Sequence, residues 1–203
     1  MEAIPWFEHD DGELDSAQRE FAAVLAARAG AWQVDPLSTV LLPARHTPYG
    51  GMLAYLDIED PERGRIVLTI GAHFDGTTVR ADKVHNQDFT LPETRTEFTF
   101  TATGIPTETA HRTATWFEAV LARPLVRCEW LHDEKVYALR YEYADNGLGL
   151  SEGFMTRLAP PGLRERLATE GVDHGRGRIG RAGLGEPDRV VPVRGVRAAG
   201  STR

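Results

Sequence analysis

The residues with the clearest chemical potential lie in GAHFDGTTVRADKVHNQD, residues 71–88. His73 and Asp75 stand two positions apart at the end of an apolar run, so a strand would direct both side chains to one face. Imidazole nitrogen and carboxylate oxygen are both ligands of zinc, and a metal held in this way can activate water. The stretch therefore raises two hypotheses, a metal site and an ordinary polar strand end.

The segment IVLTIGAHFDG, residues 66–76, resembles the strand in zinc aminopeptidases and related co-catalytic metallohydrolases where an apolar run ends in His-x-Asp. The resemblance implies a metal held by His73 and Asp75. That family also needs a paired-glutamate segment, and no Glu-Glu pair occurs in this sequence. We therefore expect no metal and no cofactor, and we keep a metal-dependent hydrolase as an alternative hypothesis.

The elements that would hold these residues follow from hydrophobic periodicity and turn sequences. The predicted elements, in chain order, are a helix over 11–30, strands over 38–46, 50–60 and 64–74, a polar loop over 80–96, a strand over 96–104, a helix over 106–123 and a hairpin over 125–145. Strands that follow one another in sequence favour an antiparallel sheet. The predicted fold class is α+β, a mostly antiparallel sheet with two main helices packed on one face and a disordered C-terminal tail.

The predicted domain organisation has three parts. Residues 1–150 form a single α+β domain, and residues 151–170 form a short helical extension around GLRERLATE. Residues 171–203 carry seven Arg, eight Gly and no aromatic residue. Such a segment buries too little apolar surface to offset its ordering entropy, so an Arg/Gly-rich disordered tail is expected. Its removal is expected to leave the melting temperature unchanged.

Charge and composition limit the classes of partner. The chain has a net charge of -7, and residues 1–170 alone carry -11. An acidic body repels phosphate, so we expect no direct nucleic-acid binding by the main domain, whereas a basic protein is a suitable partner. No apolar run approaches the length of a membrane span, and the N-terminus lacks a signal-peptide pattern. With Cys128 as the only cysteine, a cytoplasmic protein is expected.

Aromatic and charged residues suggest where a partner would bind. Trp116 lies beside Phe117, and neighbours on a helix point about 100° apart, so both cannot face the core equally. No Gly-x-Ser-x-Gly or phosphate-binding loop occurs, and no catalytic residue is assigned. The candidate partner-binding residues are His73, Asp75, Arg80, Asp82, Trp116 and Trp130.

The segments TWFEAVLARPLVRCEWLHDEKVYALRYEYAD and GAHFDGTTVRADKVHNQD also carry a family resemblance. Over roughly residues 50–147 the sequence resembles a group of small actinobacterial proteins described as abaA-like regulators, after a Streptomyces locus that influences antibiotic production and development. The resemblance implies a cytosolic accessory protein that works beside helix-turn-helix regulators. The matched residues are Trp116, Phe117, Glu118, Arg123, Pro124, Arg127, Glu129 and Trp130, with His73, Phe74, Asp75 and Gly76 upstream.

Three hypotheses of function result. The first is a non-enzymatic regulatory or accessory protein that influences antibiotic production or differentiation through protein contacts. The second is an immunity-type protein, an acidic α+β domain that neutralises a basic toxin. The third is the metal-dependent hydrolase with His73 and Asp75 as ligands.

Overall fold

A computed structural model describes residues 6–8, 14–32, 38–85, 87–171 and 181–195. Its elements are helices and two antiparallel sheets, which confirms the predicted α+β class. The chain divides into two compact units, unit 1 with residues 1–59 and 63–122, and unit 2 with residues 60–62 and 123–203. This division falls inside the segment 1–150 that was expected to form one domain.

The described part of unit 1 contains two α-helices, a short 3-10 helix (Ala44–His46) and a five-stranded sheet in the order β1-β2-β3-β4-β5. A capping box starts the first helix, because the Asp15 carboxylate accepts from the Gln18 backbone at 2.8 Å and the Gln18 side chain accepts from the Asp15 backbone at 3.3 Å. The second helix starts with Pro106, which has no N–H to leave unpaired. The elements are α1 (Ser16–Ala29), β1 (Ser38–Leu42), β2 (Met52–Asp60, whose last residue is assigned to unit 2), β3 (Arg65–Phe74), β4 (Thr78–Lys83), β5 (Phe100–Thr103) and α2 (Pro106–Leu121).

Both helices of unit 1 cover the same face of its sheet, as predicted. Phe21 of α1 stacks on Phe74 of β3 with ring centroids 4.4 Å apart, and Trp116 of α2 stacks on Phe100 of β5 at 6.0 Å. On β4, Val79 is paired with Phe74 and Ala81 is paired with Phe100. Cross-strand partners share a face, and so do alternate residues of a strand, so Phe74 and Phe100 lie on the same face of the sheet. The opposite face of the sheet carries His73 and Arg80, which are paired across β3 and β4.

The polar loop predicted over residues 80–96 is wrong in its first part. Residues Thr78–Lys83 form β4, which pairs antiparallel with β3. Val79 and Ala81 are buried and alternate with Arg80 and Asp82, so the strand has the expected period of two. The sequence predicts a loop here because half of the six positions of β4 are charged.

Unit 2 is built on a four-stranded sheet in the order β8-β7-β6-β9. The predicted hairpin is confirmed as β6 and β7, and its turn residues Asp133 and Glu134 both have positive φ, 48° and 63°. Val126, Cys128 and Trp130 of β6 belong to one buried cluster, as their alternation predicts. The elements are β6 (Leu125–His132), β7 (Lys135–Tyr143), β8 (Gly149–Phe154), α3 (Leu163–Thr169), α4 (Arg181–Leu184) and β9 (Arg189–Arg194).

The segments after residue 150 differ from prediction in two places. The helix expected within 151–170 is present as α3, but it is preceded by the strand β8. The disordered tail predicted over 171–203 is contradicted at 181–195, where β9 pairs antiparallel with β6. β9 contains Val190, Val191 and Val193, and this short β-branched run favours a strand although the segment 171–203 as a whole is rich in Arg and Gly. Residues 172–180 and 196–203 of that predicted tail lie outside the described residues.

Across the described ranges, no helix combines the length and the apolar composition that crossing a membrane requires.

Candidate protein-binding site

The six residues nominated from the sequence do not form one site. His73, Asp75, Arg80 and Asp82 lie on β3, on β4 or in the turn between them. Trp116 lies on the opposite, helix-covered side of the same sheet, and Trp130 belongs to the core of unit 2.

His73 is a buried residue that anchors the loop after β4. Only 3% of its surface is exposed, its Nε2 lies 2.9 Å from the Phe89 carbonyl oxygen, and its ring contacts Tyr49 edge-on at 4.7 Å. A carbonyl can only accept, so Nε2 carries the proton and donates it. Burial lowers the pKa of His73, and the positive charge of Arg80 lowers it further. His73 is therefore a neutral imidazole whose Nδ1 has no hydrogen-bond partner among the described residues.

Asp75 closes the turn between β3 and β4. Its Oδ1 accepts hydrogen bonds from the Thr77 backbone at 3.0 Å and the Thr78 backbone at 2.8 Å. Partial burial would raise the pKa of Asp75, but these hydrogen bonds outweigh it and hold the pKa below its usual value. The carboxylate is therefore an ionised turn-former.

The geometry gives the metal-dependent hydrolase no support. The Nε2 of His73 and the Oδ1 of Asp75 are already used by the Phe89 carbonyl and by the turn. Within the part of the chain that the structure describes, no three His, Cys, Asp or Glu side chains are grouped to hold a metal ion. The His-x-Asp pattern here serves a loop and a turn instead of a metal pocket.

Asp82 ties the next segment of chain to β4. It is 4% exposed and accepts hydrogen bonds from the Thr96 and Thr99 hydroxyls and, at 2.7 Å, from the Lys83 backbone. Three donors satisfy this buried carboxylate, and the two threonine contacts hold the chain after residue 90 against the strand. Asp82 thereby sets the position of the pocket wall described next.

A small pocket lies between β4, β5 and the segment 91–95. It has a volume of about 130 Å³. Arg80 is exposed and its guanidinium lies 5.5 Å from the centre of the Tyr49 ring, while Arg95 is exposed and forms no hydrogen bond, ion pair or ring contact with another described residue. Neither arginine forms an ion pair with any residue in the described ranges. We call this site the Arg80 pocket; the lining residues that matter here are Arg80, Asp82, Leu91, Glu93, Arg95 and Thr101.

Sequence reasoning found two residues of the Arg80 pocket and missed the others. Arg80 and Asp82 were nominated because they follow the His-x-Asp stretch, whereas Arg95 and Thr101 come from distant positions. No sequence signal points to them, because this segment is positioned by the hydrogen bonds of Thr96 and Thr99 to Asp82, which form only after folding.

Each of the two tryptophans donates a hydrogen bond from its indole N–H to a backbone carbonyl. Trp116 is partly buried and its Nε1 donates to the Phe98 carbonyl at 3.0 Å. Trp130 is 2% exposed and its Nε1 donates to the Gly185 carbonyl at 3.2 Å. Buried Trp side chains commonly pair their N–H in this way. Trp130 is therefore enclosed in the core of unit 2, whereas Trp116 keeps part of its surface exposed.

A second cluster of ionisable groups is buried in unit 2. Arg127 is 2% exposed, and its guanidinium donates to Asp60, to Glu129 at 2.7 Å and to Glu62 at 2.8 Å. Burial alone would lower the pKa of Arg127, but its hydrogen bonds to carboxylates raise it above the usual arginine value. Asp60 also accepts from the Tyr141 hydroxyl at 2.8 Å. Every charged group in this cluster has a partner, so the cluster is structural.

The chain was compared with protein-family models, curated proteins and solved structures, and nothing matches. The abaA-like resemblance and its implied actinobacterial source therefore remain predictions, and the functional proposal has to come from the site.

Proposed function

We propose that the chain is a non-catalytic accessory protein that binds a protein partner, with the Arg80 pocket holding one partner side chain. The observation that carries the proposal is the combination of pocket size and unpaired guanidinium groups. Pockets for drug-sized ligands and cofactors measure roughly 300–1,000 Å³, whereas this one has about 130 Å³. A single amino-acid side chain is the size of occupant that fits.

The two arginines support this proposal because they combine the lack of a structural ion pair with a place in the lining of a pocket. Arg123 makes a two-point pair with Asp145, and Arg127 is saturated by carboxylates. Arg80 and Arg95 are exposed beside a pocket and have no such pair. Arginine is enriched among the residues that dominate protein–protein binding energy, since its planar head can make several directed hydrogen bonds.

The biological setting of the proposal follows from the abaA-like resemblance. On this proposal the partner is a regulator or another component of antibiotic production or differentiation, for example a helix-turn-helix protein, and binding takes place in the cytoplasm. The protein then acts through its partner and does not contact nucleic acid through its acidic part.

Affinity capture with matched variants tests the proposal. The full chain serves as bait in an extract of the source organism, beside the double variant Arg80→Glu/Arg95→Glu. The control Arg19→Glu/Arg157→Glu makes the same change of charge at exposed arginines that do not line the pocket. We expect the pocket variant to retain at most about a tenth of a partner that the control retains fully, because an interface arginine commonly contributes a tenfold or larger effect. Equal capture by the two variants would refute the proposal.

A second candidate function is the immunity-type protein, and the charge of unit 1 favours it. Unit 1 contains 17 acidic and nine basic residues, a net charge of -8. A basic toxin would be attracted by this charge over a wide surface, and such attraction weakens steeply with salt. A captured basic protein whose binding falls with ionic strength but ignores Arg80→Glu/Arg95→Glu would select this function over the first.

A further inference from the structure

The backbone of β5 offers hydrogen bonds at the outer edge of the unit 1 sheet. The Gly104 N–H donates to the Thr77 carbonyl at 3.0 Å, one step beyond the paired residues Thr78 and Thr103. In an antiparallel ladder, hydrogen-bonded and non-hydrogen-bonded pairs alternate. The backbone groups of Phe100 and Ala102 therefore face β4, and those of the two residues that alternate with them, Thr101 and Thr103, face outward.

This outer edge is open in the described part of the chain. β5 is the last strand in the sheet order, and Thr101 and Thr103 are both exposed. Among the described residues, no hydrogen bond engages the outward N–H or C=O of either threonine. An exposed strand edge with free donors and acceptors is a template for an added strand.

The open edge and the Arg80 pocket are adjacent. Thr101 lines the pocket and is the cross-strand partner of Arg80. A residue paired with Thr101 from an added strand would direct its side chain to the face that carries Arg80. Neighbouring strands lie about 4.8 Å apart, so that residue would stand about 10 Å from the Arg80 backbone, within reach of an arginine and a long acidic side chain extended toward each other.

Most of the pocket's polar groups that lack a hydrogen-bond partner are donors. The guanidinium groups of Arg80 and Arg95 form no hydrogen bond or ion pair with a described carboxylate, although the charge of Arg80 acts on Asp75 in the neighbouring turn, while Asp82 already accepts three hydrogen bonds. Glu93 is the exposed carboxylate at the rim. Two guanidinium groups beside one exposed carboxylate favour an acidic occupant, since charge-assisted pairs to arginine are the stronger hydrogen bonds.

We infer that the occupant of this site is an extended acidic segment of the partner, which adds to β5 as a further strand and places a carboxylate side chain in the Arg80 pocket. The inference rests on the proposed function and deepens it. Backbone hydrogen bonds to Thr101 and Thr103 supply affinity that is independent of sequence, and the pocket selects the acidic side chain.

Binding of defined peptides to the full chain tests the inference. The probes are three fluorescein-labelled nine-residue peptides of alternating threonine and valine, with a central glutamate, glutamine or lysine. Fluorescence anisotropy should show the glutamate peptide binding at least about tenfold more tightly than the lysine peptide. Arg80→Ala/Arg95→Ala should abolish this preference. Glu93→Gln should strengthen binding of the glutamate peptide, because it removes the rim carboxylate that repels it.

Amide hydrogen exchange provides a readout that needs no variant. The Thr101 and Thr103 amides should exchange rapidly in the free protein and slow at least about tenfold when the glutamate peptide is bound, because they become ladder donors. Equal affinity for the three peptides, no binding of the glutamate peptide up to about 1 mM, or unchanged exchange at both threonines would overturn the inference.

The outcomes separate this inference from the proposed function. Partner capture that depends on Arg80 and Arg95, together with peptides that bind without charge preference, would overturn strand addition by an acidic segment and leave the protein-binding function standing. Capture that ignores both arginines would refute the function itself.

Discussion

Arg189 and Glu129 connect the C-terminal strand to the interior of unit 2. The Nε of Arg189 donates to the Glu129 carboxylate at 2.7 Å, and Glu129 has no exposed surface. The other oxygen of Glu129 accepts from Arg127, so this buried carboxylate has one arginine on each oxygen. β9 is therefore a structural part of the unit 2 sheet.

Deletion of residues 181–203 should destabilise the protein, contrary to the unchanged melting temperature that composition predicts for removal of the tail. The deletion removes β9 from the edge of β6, the Arg189 partner of Glu129 and the Gly185 acceptor of the Trp130 indole. We expect the melting temperature to fall by about 5 °C or more, since each kcal/mol corresponds to about 2–4 °C for a chain of this size. The control chain ends at Gly195 and keeps all these contacts. Equal melting temperatures for both chains in calorimetry would show that β9 contributes nothing.

The single substitution Arg189→Ala should account for part of that loss. Removing one partner of a buried charge is costly, but Arg189 is half exposed and Glu129 keeps its bond to Arg127. We expect a loss of about 1–2 kcal/mol in the free energy of unfolding. Urea denaturation measures it, with Arg157→Ala, at an exposed arginine outside the network, as the control that should stay close to wild type.

Arg127→Leu should be the most damaging single change in unit 2. The substitution leaves the buried carboxylates of Asp60 and Glu129 without their shared cation. Breaking a buried pair in this way costs about 3–5 kcal/mol. Arg123→Leu, which breaks the more exposed pair with Asp145, should cost about 1 kcal/mol and serves for comparison. A cost for Arg127→Leu no greater than that for Arg123→Leu would show that Tyr141 and the Glu62 backbone already satisfy Asp60 and that Arg189 satisfies Glu129.

His73 should make the stability of the protein depend on pH near neutrality. Its pKa is lowered in the folded state from 6.5, so the unfolded chain binds the proton first as the pH falls. Stability should therefore be complete above about pH 6.5 and decline below it. His73→Gln preserves a donor to the Phe89 carbonyl and should flatten the decline. Melting temperatures between pH 5 and 7.5 test this, and a variant with the wild-type slope would contradict it.

Substitution by alanine should change the free energy of unfolding in opposite directions at two glycines of unit 1. A Cβ at Gly51 would lie 2.7 Å from the Phe74 carbonyl oxygen, a backbone atom that cannot move aside. Gly51→Ala should cost about 1–3 kcal/mol. Gly30, which follows α1, has φ of -60°, and a Cβ added there would lie no closer than 3.6 Å to any atom beyond its chain neighbours. Gly30→Ala should therefore be neutral or stabilise the protein by up to about 1 kcal/mol. Urea denaturation of both variants compares the signs.

The parts of the fold that the sequence predicted are those with strong periodicity. The helices α1 and α2 and the β6–β7 hairpin carry apolar residues at regular spacing, and all three are present. The missed strands are short: β4 is charged at half of its positions, and β8 contains two glycines. β9 has a run of valines, but it lies in an Arg- and Gly-rich segment, and its pairing with the distant strand β6 cannot be read from local sequence.

The candidate site was predictable only at its strand residues. Arg80 and Asp82 stand in a sequence stretch that invites attention, but the pocket exists because Asp82 binds Thr96 and Thr99 and thereby positions the chain that contains Arg95. Trp116 and Trp130 are large aromatics that suggest a binding surface, yet Trp130 is buried in unit 2 and Trp116 is partly buried with its Nε1 bonded to the Phe98 carbonyl. Residue type suggests binding, whereas exposure depends on tertiary packing.

Unit 2 includes three residues, Asp60–Glu62, that are separated from the rest of the unit in sequence by residues 63–122 of unit 1. Arg127 follows Asp60 by 67 residues, so a ribosome that adds about 5–20 residues per second completes the pair on the order of 10 s after Asp60 is made. A fragment that starts at Arg123 would contain Arg127 without Asp60 and Glu62, two of its three carboxylates. The coding sequences of the two units are thus interleaved. Recombination that transferred one continuous stretch of the gene for either unit would separate Arg127 from Asp60 and Glu62.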